Sequence, residues 1–497
     1  MTDEPGRAGF AQYTDVRETH AGVVFLLGDH AYKVKKPYDF GFLDYTTLEA
    51  RREACQEEVR LNRRLAPDVY VGVFDVHDAD DAVCEHLVVM KRMPGERRLA
   101  TLVADGRPVR DQLRALARKL AAFHSGAERG PEIDAQAAVP ALRQRWTDSF
   151  DQVRPYGDDV IPAARLERIE SLTLRFLDGR TDLFDQRIAD RRAVDGHGDL
   201  LADDVFCLDD GPRALDCLEF DANLRYVDGL DDAAFLAMDL ERIGAPDLGE
   251  AFLTWYAGFA GDPAPPALRH HYIAYRAFVR AKVACLRHSQ GAEGAADQAR
   301  RLAEITERHL TAGATRLILV GGLPGTGKST LAGALADRLG LSLISSDPTR
   351  KELAGRAATE PAPAAYGSGI YSPEWTDRTY DELLRRAGEL LALGESVVLD
   401  ASWLSAAHRE AAAETAKRTI ADLVQLRCTA DGDRAGQRIS ARAASGPHAS
   451  DATAEIARSM AADADDWPEA TPVDTSGRVA DAVAAALPAV RPDPETS

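Results

Sequence analysis

The sequence predicts a chain of mixed α/β and α+β class: a small sheet-rich lobe, a larger helical lobe, then a three-layer α/β domain with a mainly parallel sheet. Three observations predict it. Short β-branched runs separated by turn residues fill the first 95 positions. Helical periodicity takes over from about Arg110. From Arg316 onward, apolar strand patterns and amphipathic helix patterns alternate.

The elements follow in order. Val23 to Val34 reads as two strands around a Gly28-Asp29 turn. Thr47 to Leu65 reads as a helix, capped by Thr46 or Thr47 and followed by Pro67. Tyr70–Val76 and Glu85–Arg92 are two further strands, with Pro94-Gly95 closing the lobe. Arg110–Ala127 opens the helical lobe. A hairpin interrupts it, with strands Val205–Leu208 and Arg213–Phe220 around the turn Asp209-Asp210-Gly211-Pro212, and helices resume from Asp231 to Arg287. Gly291–Leu310 has the pattern of an exposed charged helix, and Thr311-Ala312-Gly313-Ala314 that of a short link. Leu317–Val320, Leu343–Ser345, Val397–Leu399 and Leu423–Leu426 are the apolar strands of the last part. The expected divisions are 1–95, 96–308, a linker at 309–315, and 316–490.

Composition narrows the function classes. The chain has 497 residues, 45% apolar and 28% charged, enough to bury sizeable cores without staples. A net charge of −20 repels phosphate backbones, which disfavours nucleic acid as a partner. The six cysteines form no CxxC pair, so there is no zinc signature and a reducing compartment is expected. The first residues lack an apolar signal core, and no apolar run reaches the length of a membrane span. These features lead to the expectation of a cytoplasmic protein without a membrane partner. No feature of the sequence sets an oligomeric state.

The most specific local signal is Gly322-Leu323-Pro324-Gly325-Thr326-Gly327-Lys328-Ser329, a GxxxxGK[ST] phosphate-binding loop. It follows an apolar strand and opens a helix, which is the context the motif requires. Its glycines let backbone N–H groups converge on phosphate oxygens, and the helix N-terminus adds a favourable dipole. Lys328 is placed to bridge the terminal phosphates of ATP or GTP. Ser329 is placed to ligate Mg²⁺, with Thr330 next to it. Asp400 ends the strand Val397–Leu399 and suits the metal-side carboxylate, although an aspartate there can also be a plain strand-end cap. Asp347 ends another strand, with Arg350 three residues on. The pair could deprotonate an acceptor hydroxyl and hold its charge, or be a capping acid with a solvated arginine. Arg434, Arg438 and Arg442 share one helix face, either a lid over phosphates or a solvated basic stripe.

On these residues, 316–480 resembles P-loop kinases of the zeta-toxin, polynucleotide-kinase and gluconate-kinase type. The resemblance implies that Asp347 handles the acceptor hydroxyl. Ala365–Tyr371 has the glycine and aromatic content of a substrate loop.

The earlier part carries a second constellation. His197-Gly198-Asp199 precedes the hairpin, and counting back from its turn sets Asp204 roughly opposite Asp216. Three carboxylates so arranged suit metal binding and acid–base work. The order matches the kinase pattern of a catalytic acid, a metal ligand five residues later and a magnesium aspartate on the next strand. The span 10–290 therefore resembles aminoglycoside phosphotransferase- and choline kinase-like proteins, and a bilobal kinase-like fold is implied. Leu116–His124 is similar to the family's helix before the catalytic loop. The resemblance implies Asp199 as base, and Asp204 and Asp216 as metal ligands. Lys33, with Lys35 as an alternative, is implied as the phosphate lysine, paired with Glu58, or alternatively Glu57. Val88–Met93 is implied as the adenine-receiving hinge. Two departures stand out. Asp204 replaces the usual asparagine, and the glycine-rich loop retains only Gly22 and Gly28. Glu219, Asp221, Asp228 and Asp232 could form an acidic patch for a cationic acceptor or an ordinary solvated surface. Arg276, Arg280 and Lys282 could touch phosphates or be salt-bridged.

The pairing of domains resembles a bacterial fusion of an aminoglycoside phosphotransferase-like domain with a P-loop kinase or AAA-type ATPase domain. It implies a bifunctional ATP-dependent phosphotransferase acting on a small-molecule hydroxyl. Two other readings stay open: an ATP-hydrolysing switch with a nucleotide-sensing pseudokinase, and a toxin-like kinase of nucleotide sugars.

Overall fold

The computed structural model describes residues 14–18, 22–39, 44–357, 360, 367–444 and 453–491. Its chain forms two compact units that interleave along the sequence. One comprises Met1–Ala163, Gln186–Ala264 and Tyr272–Thr306; the other comprises Ala164–Asp185, Pro265–His271 and Glu307–Ser497.

The first unit begins with a five-stranded antiparallel sheet in the order Thr14–Glu18, Gly22–Leu27, His30–Lys35, Val83–Lys91, Tyr70–His77. The register Leu27↔His30 leaves a two-residue turn, and Gly28 occupies it at φ 57°. The helix Leu48–Asn62 lies against the sheet, burying Cys55 and Val59 with Tyr70 and Val88. Thr47 caps it by accepting from the Ala50 amide at 3.2 Å. The rest of the unit is mainly helical, around an aromatic core in which Trp146, Phe150 and Phe278 meet ring to ring.

Two sequence expectations change here. The return strand of the hairpin is Gly211–Ala214 rather than Arg213–Phe220. The register pairs Val205 with Ala214, so Leu215 rather than Asp216 meets Asp204 across the hairpin. The helix Ala295–Ala312 is not an exposed charged helix either. Ala299, Leu302, Ala303 and Thr306 are fully buried along one face, a stripe hidden among charged neighbours.

The second unit is a five-stranded parallel sheet in the order Ser342–Ser345, Val397–Asp400, Arg316–Gly321, Asp422–Thr429, Thr471–Asp474. The central strand Arg316–Gly321 is buried at every position. Leu317 and Leu319 enter one apolar layer, Ile318 and Val320 the other. The fifth strand has no sequence expectation, because Thr471–Asp474 is four residues long, contains Pro472 and buries only Val473. Its carboxyl end, with those of its neighbours, forms the rim where the phosphate loop sits.

Candidate active sites

In the first unit, the strand His30–Lys35 projects Lys33 and Lys35 onto the same acid. Glu58, fully buried, lies 2.9 Å from Lys33 Nζ and 2.6 Å from Lys35 Nζ. Lys33 also donates to Asp216 at 2.8 Å, and Lys35 pairs with Glu219. Burial alone would depress the Lys33 ammonium, but Asp216, Glu58 and Glu219 outweigh it and hold its pKa well above the ordinary value. Asp216 is held low, first by Lys33. It sits in the left-handed region at φ 60°, two residues past the strand end, and its amide donates to the Tyr70 hydroxyl at 3.3 Å.

Lys33, Glu58, Tyr70 and Asp216 line a cleft of about 580 Å³ together with the segment Met90–Gly95, Asp204 and Phe206. Burial raises the Asp204 carboxyl well above its usual range, and the nearby Asp216 and Asp199 carboxylates add to this. Asp199 retains 36% side-chain exposure, yet desolvation pushes it up to about 6 against the opposing Arg280, whose guanidinium is 3.8 Å away. Asp204 and Asp216 fit a divalent cation electrostatically: positive charge between them would offset the burial and the repulsion that raise the Asp204 carboxyl.

The loop carrying Asp199 is held from beneath by a residue the sequence reading had left in an acidic patch. Asp232, fully buried on the helix Gly229–Arg242, accepts from the amides of His197 and Gly198, each at 2.8 Å. Its Oδ2 also lies 2.9 Å from His124 Nε2, and His124 Nδ1 meets the Tyr256 hydroxyl at 2.8 Å. These contacts depress the Asp232 carboxyl despite its burial. The rest of the supposed patch is likewise committed. Asp228 is bound by Arg187 at 2.7 Å, Glu219 by Lys35, and Asp221 accepts from the Asn223 amide at 2.9 Å. It is therefore not an open cation subsite. Arg276 is buried against Asp231 at 2.7 Å, which leaves Arg280 as the cation beside Asp199.

In the second unit the loop 322–329 joins the strand Arg316–Gly321 to the helix Lys328–Leu339. Gly322, Gly325 and Gly327 all have positive φ, at 140°, 83° and 83°. Gly325 is further constrained, because a Cβ there would lie 2.5 Å from the Ala435 carbonyl oxygen. The Thr326 hydroxyl donates to the Leu323 carbonyl at 2.8 Å, and Thr475 donates to the Thr326 carbonyl. Ser329 and Thr330 are exposed at the helix start.

Asp400 is 5% exposed. Burial raises its carboxyl pKa, while Lys328 and a hydrogen bond from the Ser329 hydroxyl oppose the shift. Its Oδ1 is buried without a hydrogen-bond partner among the described residues. An unsatisfied acid oxygen beside the Ser329 hydroxyl suits Mg²⁺, which would supply the missing partner and stabilise charge on a phosphate.

Asp347 is half-buried in the first turn of the helix Ser346–Leu353, two residues beyond the strand end, and contributes to the field at Asp400. Arg350 is 6% exposed and donates to the Ile370 carbonyl at 3.0 Å and to the Thr376 hydroxyl at 3.2 Å. Its guanidinium lies over Tyr371, 5.2 Å from the ring centroid, and is not a solvated arginine. Ala365 and Tyr366 of the expected substrate loop lie outside the described residues. Arg438 donates to the Gly325 carbonyl at 3.4 Å and to the Thr475 carbonyl at 2.7 Å, so the helix Gly432–Ala444 rests on the loop. Arg434 is exposed, and the Arg442 side chain lies outside the described residues. Thr475, which the sequence reading missed, shares with Arg438 and Gly327 a hollow of about 250 Å³ beside the phosphate loop.

The AAA domain family matches residues 317–466. A sheet-and-helix unit with a lysine–carboxylate cleft, together with a unit built on a P-loop and a parallel sheet, defines a two-unit protein with a phosphate-binding loop in its second unit. The chain is 46% identical over 478 residues to the protein Rv2004c of Mycobacterium tuberculosis (strain ATCC 25618 / H37Rv), covering 96% of this chain and 94% of that one, and it belongs to the same family. Among solved structures, it is similar to a choline/ethanolamine kinase family protein from Mesorhizobium loti, with 16% identity, 61% of this chain, 92% of that chain and a TM-score of 0.38. It is also similar to a gluconokinase from Sinorhizobium meliloti 1021, with 16% identity, 36% of this chain, 91% of that chain and a TM-score of 0.26. Among the described residues, no helix is long and apolar enough to cross a membrane.

Proposed function

We propose that the chain is a bifunctional ATP-dependent phosphotransferase with two nucleotide sites, each moving the γ-phosphate to a small-molecule hydroxyl. The observation that carries this reading is the repetition of one chemical arrangement. In each unit a lysine faces an acid suited to Mg²⁺, exposed in one and buried in the other, with a further carboxylate nearby: Lys33, Asp216 and Asp199 in the first, Lys328, Asp400 and Asp347 in the second. In the first unit Asp199 takes the acceptor proton, while Lys33, steadied by Glu58, holds phosphate oxygens. In the second, Lys328 and the loop amides hold the phosphates, and Asp347 orients the acceptor hydroxyl. Arg350 fixes the acceptor-side wall, and Arg438 closes the nucleotide side. Catalysis is mostly positioning plus electrostatic stabilisation.

The test follows γ-phosphate from labelled ATP into a panel of sugars, amino sugars, nucleosides and amines, using wild type, Asp199→Asn and Lys328→Ala. The expected result is two acceptor activities, each lost in one variant. Release of free phosphate alone with every acceptor would sink the proposal.

A second reading, a nucleotide-sensing first unit coupled to an ATP-hydrolysing switch, is favoured by one observation: Lys33 is bonded at 2.8 Å to Asp216, the residue suited to the metal. That reading expects ATP binding in the first cleft without any phosphorylated product.

A further inference from the structure

The first unit has a second hollow, of about 420 Å³, bounded by His124, Tyr256 and the segment Asp190–Arg192. Four arginines line it: Arg187 is paired with Asp228 and Asp262, and none of Arg129, Arg191 and Arg192 has a carboxylate within ion-pair distance among the described residues. Arg129 is spent on main-chain carbonyls, donating to those of His124, Ser125, Ala127 and Arg191. Arg192 donates to the carbonyls of Ala260 at 3.1 Å and Gly261 at 2.9 Å, and its Nε is buried without a hydrogen-bond partner. Arg191 is exposed, and no bond of its guanidinium is found among the described residues. Its backbone is in the left-handed region at φ 56°, an uncommon state for a non-glycine residue. Carbonyl bonds fix a guanidinium in place but leave its charge uncompensated. The acids of the same hollow compensate it only in part, Asp262 through its electrostatic attraction to Arg192. Asp228 and Asp262 are both taken by Arg187, at 2.7 and 2.5 Å, and Asp190 is exposed at the rim. In a chain of net charge −20, three arginines converging without an ion pair of their own is a costly arrangement that a bound anion would relieve. Burial, with Arg191 and Arg192, lowers the Arg129 pKa, the direction expected of crowded cations.

We propose that Arg129, Arg191 and Arg192 form an anion site separate from the nucleotide cleft, shaped for a phosphorylated small molecule. Its volume is that of a small-ligand pocket, and its concavity does not suit an extended polyanion. The wall of the site is also the support of the Asp199 loop. Tyr256 and His124 lead to Asp232, and Asp232 holds the His197 and Gly198 amides. Occupancy therefore steadies the loop.

The experiment uses the full chain with Mg²⁺ and both nucleotide sites saturated by a non-hydrolysable ATP analogue. Binding of inorganic pyrophosphate is measured by calorimetry, and hydrogen exchange of the segment 195–200 is followed in parallel. The expected result is one saturable site that weakens as salt rises, that is at least ~10-fold weaker in Arg191→Glu, and whose filling slows exchange of the His197 and Gly198 amides. Arg191→Glu changes an exposed side chain, and unchanged melting of the variant verifies its fold. Absence of saturable binding, or binding that Arg191→Glu leaves intact, overturns the site. Binding with no change in exchange overturns its link to the loop.

Discussion

At the residue scale, two carboxylates carry the sharpest expectations. Asp199 ionises at about 6 because burial outweighs the attraction of Arg280. As a base it acts only when ionised, so phosphate transfer by the first unit should rise through about pH 6 and level off above it. Arg280→Ala removes the opposing cation and should move that midpoint upward; a pH–rate profile that stays in place would refute the assignment. Asp199→Asn should lower the rate by about 10²–10⁴-fold with nucleotide binding retained, as measured by transfer and by calorimetry. In the second unit, Asp400→Asn replaces the orphaned acid oxygen with an amide that serves Mg²⁺ poorly, so the Mg²⁺ concentration needed for half-maximal nucleotide binding should rise about 10-fold or more. What could be read from the sequence at this scale is what local spacing encodes. Gly322, Gly325, Gly327 and Lys328 act through backbone conformation over eight residues, so their geometry is visible in a string. Asp232 acts across 35 residues on the His197 amide, and nothing near it in sequence signals that contact. Arg350 was legible as a strand-end arginine, but its place over Tyr371 depends on a loop twenty residues on.

At the element scale, the same distinction separates Gly325 from its neighbours. The motif explains a glycine there by phosphate approach. The structure adds a second cause, the backbone of the helix Gly432–Ala444 passing within 2.5 Å of where a Cβ would stand. Gly325→Ala should cost about 1–3 kcal/mol from strain at φ 83° and from displacement of that helix, read as a lower melting temperature together with weaker ATP binding. Gly333→Ala serves as the control. It lies inside the helix Lys328–Leu339 with open space around its Cβ, so the change should stabilise by about 0.4–1 kcal/mol. In the first unit, the helix Gly229–Arg242 presents Asp232 to the Asp199 loop. Asp232→Ala would leave the two loop amides and His124 without their buried acceptor. A loss of about 3–5 kcal/mol is expected, with kcat falling more than KM rises, because the loop is misplaced rather than the nucleotide wall. The hairpin shows the other limit of sequence reading. Its turn was legible from Asp209-Asp210-Gly211, but the strand end was not, because Asp216 leaves the ladder through a left-handed conformation that aspartate tolerates without announcing it.

At the scale of the whole molecule, the unit built around the P-loop sheet does not come from the last third of the chain alone. The segment Ala164–Asp185 belongs to that unit. Arg180 there is 2% exposed and donates to the Thr315 hydroxyl at 3.0 Å and to the Thr419 carbonyl at 2.7 Å, while Arg175 pairs with Asp422 at 2.9 Å. His271, from the short segment Pro265–His271, stacks on Phe176 with centroids 4.4 Å apart, and burial lowers its pKa from 6.5 to about 3. A histidine buried neutral contributes stability in full above its unfolded pKa of about 6.5 and loses it as pH falls toward 3. His271→Phe keeps the stacked ring without the titration, so the second unit of the variant should resist acid better than wild type below pH 6. Equal acid midpoints would refute this. The same contacts make a statement about cutting the chain. A boundary at 309–315 follows the change in sequence pattern, but a fragment starting there lacks Arg180, Arg175, Phe176 and His271 together. It would expose the carbonyl of Thr419 and the face around Thr315 that those residues cover. Such a fragment should melt well below the corresponding transition of the full chain, identified by its shift on adding ATP and Mg²⁺. In the full chain, Arg180→Ala should lower that ATP-sensitive transition by several degrees, because two buried acceptors lose their donor. If the fragment melts with the full chain, the two segments are passive neighbours and the linker is the true divide.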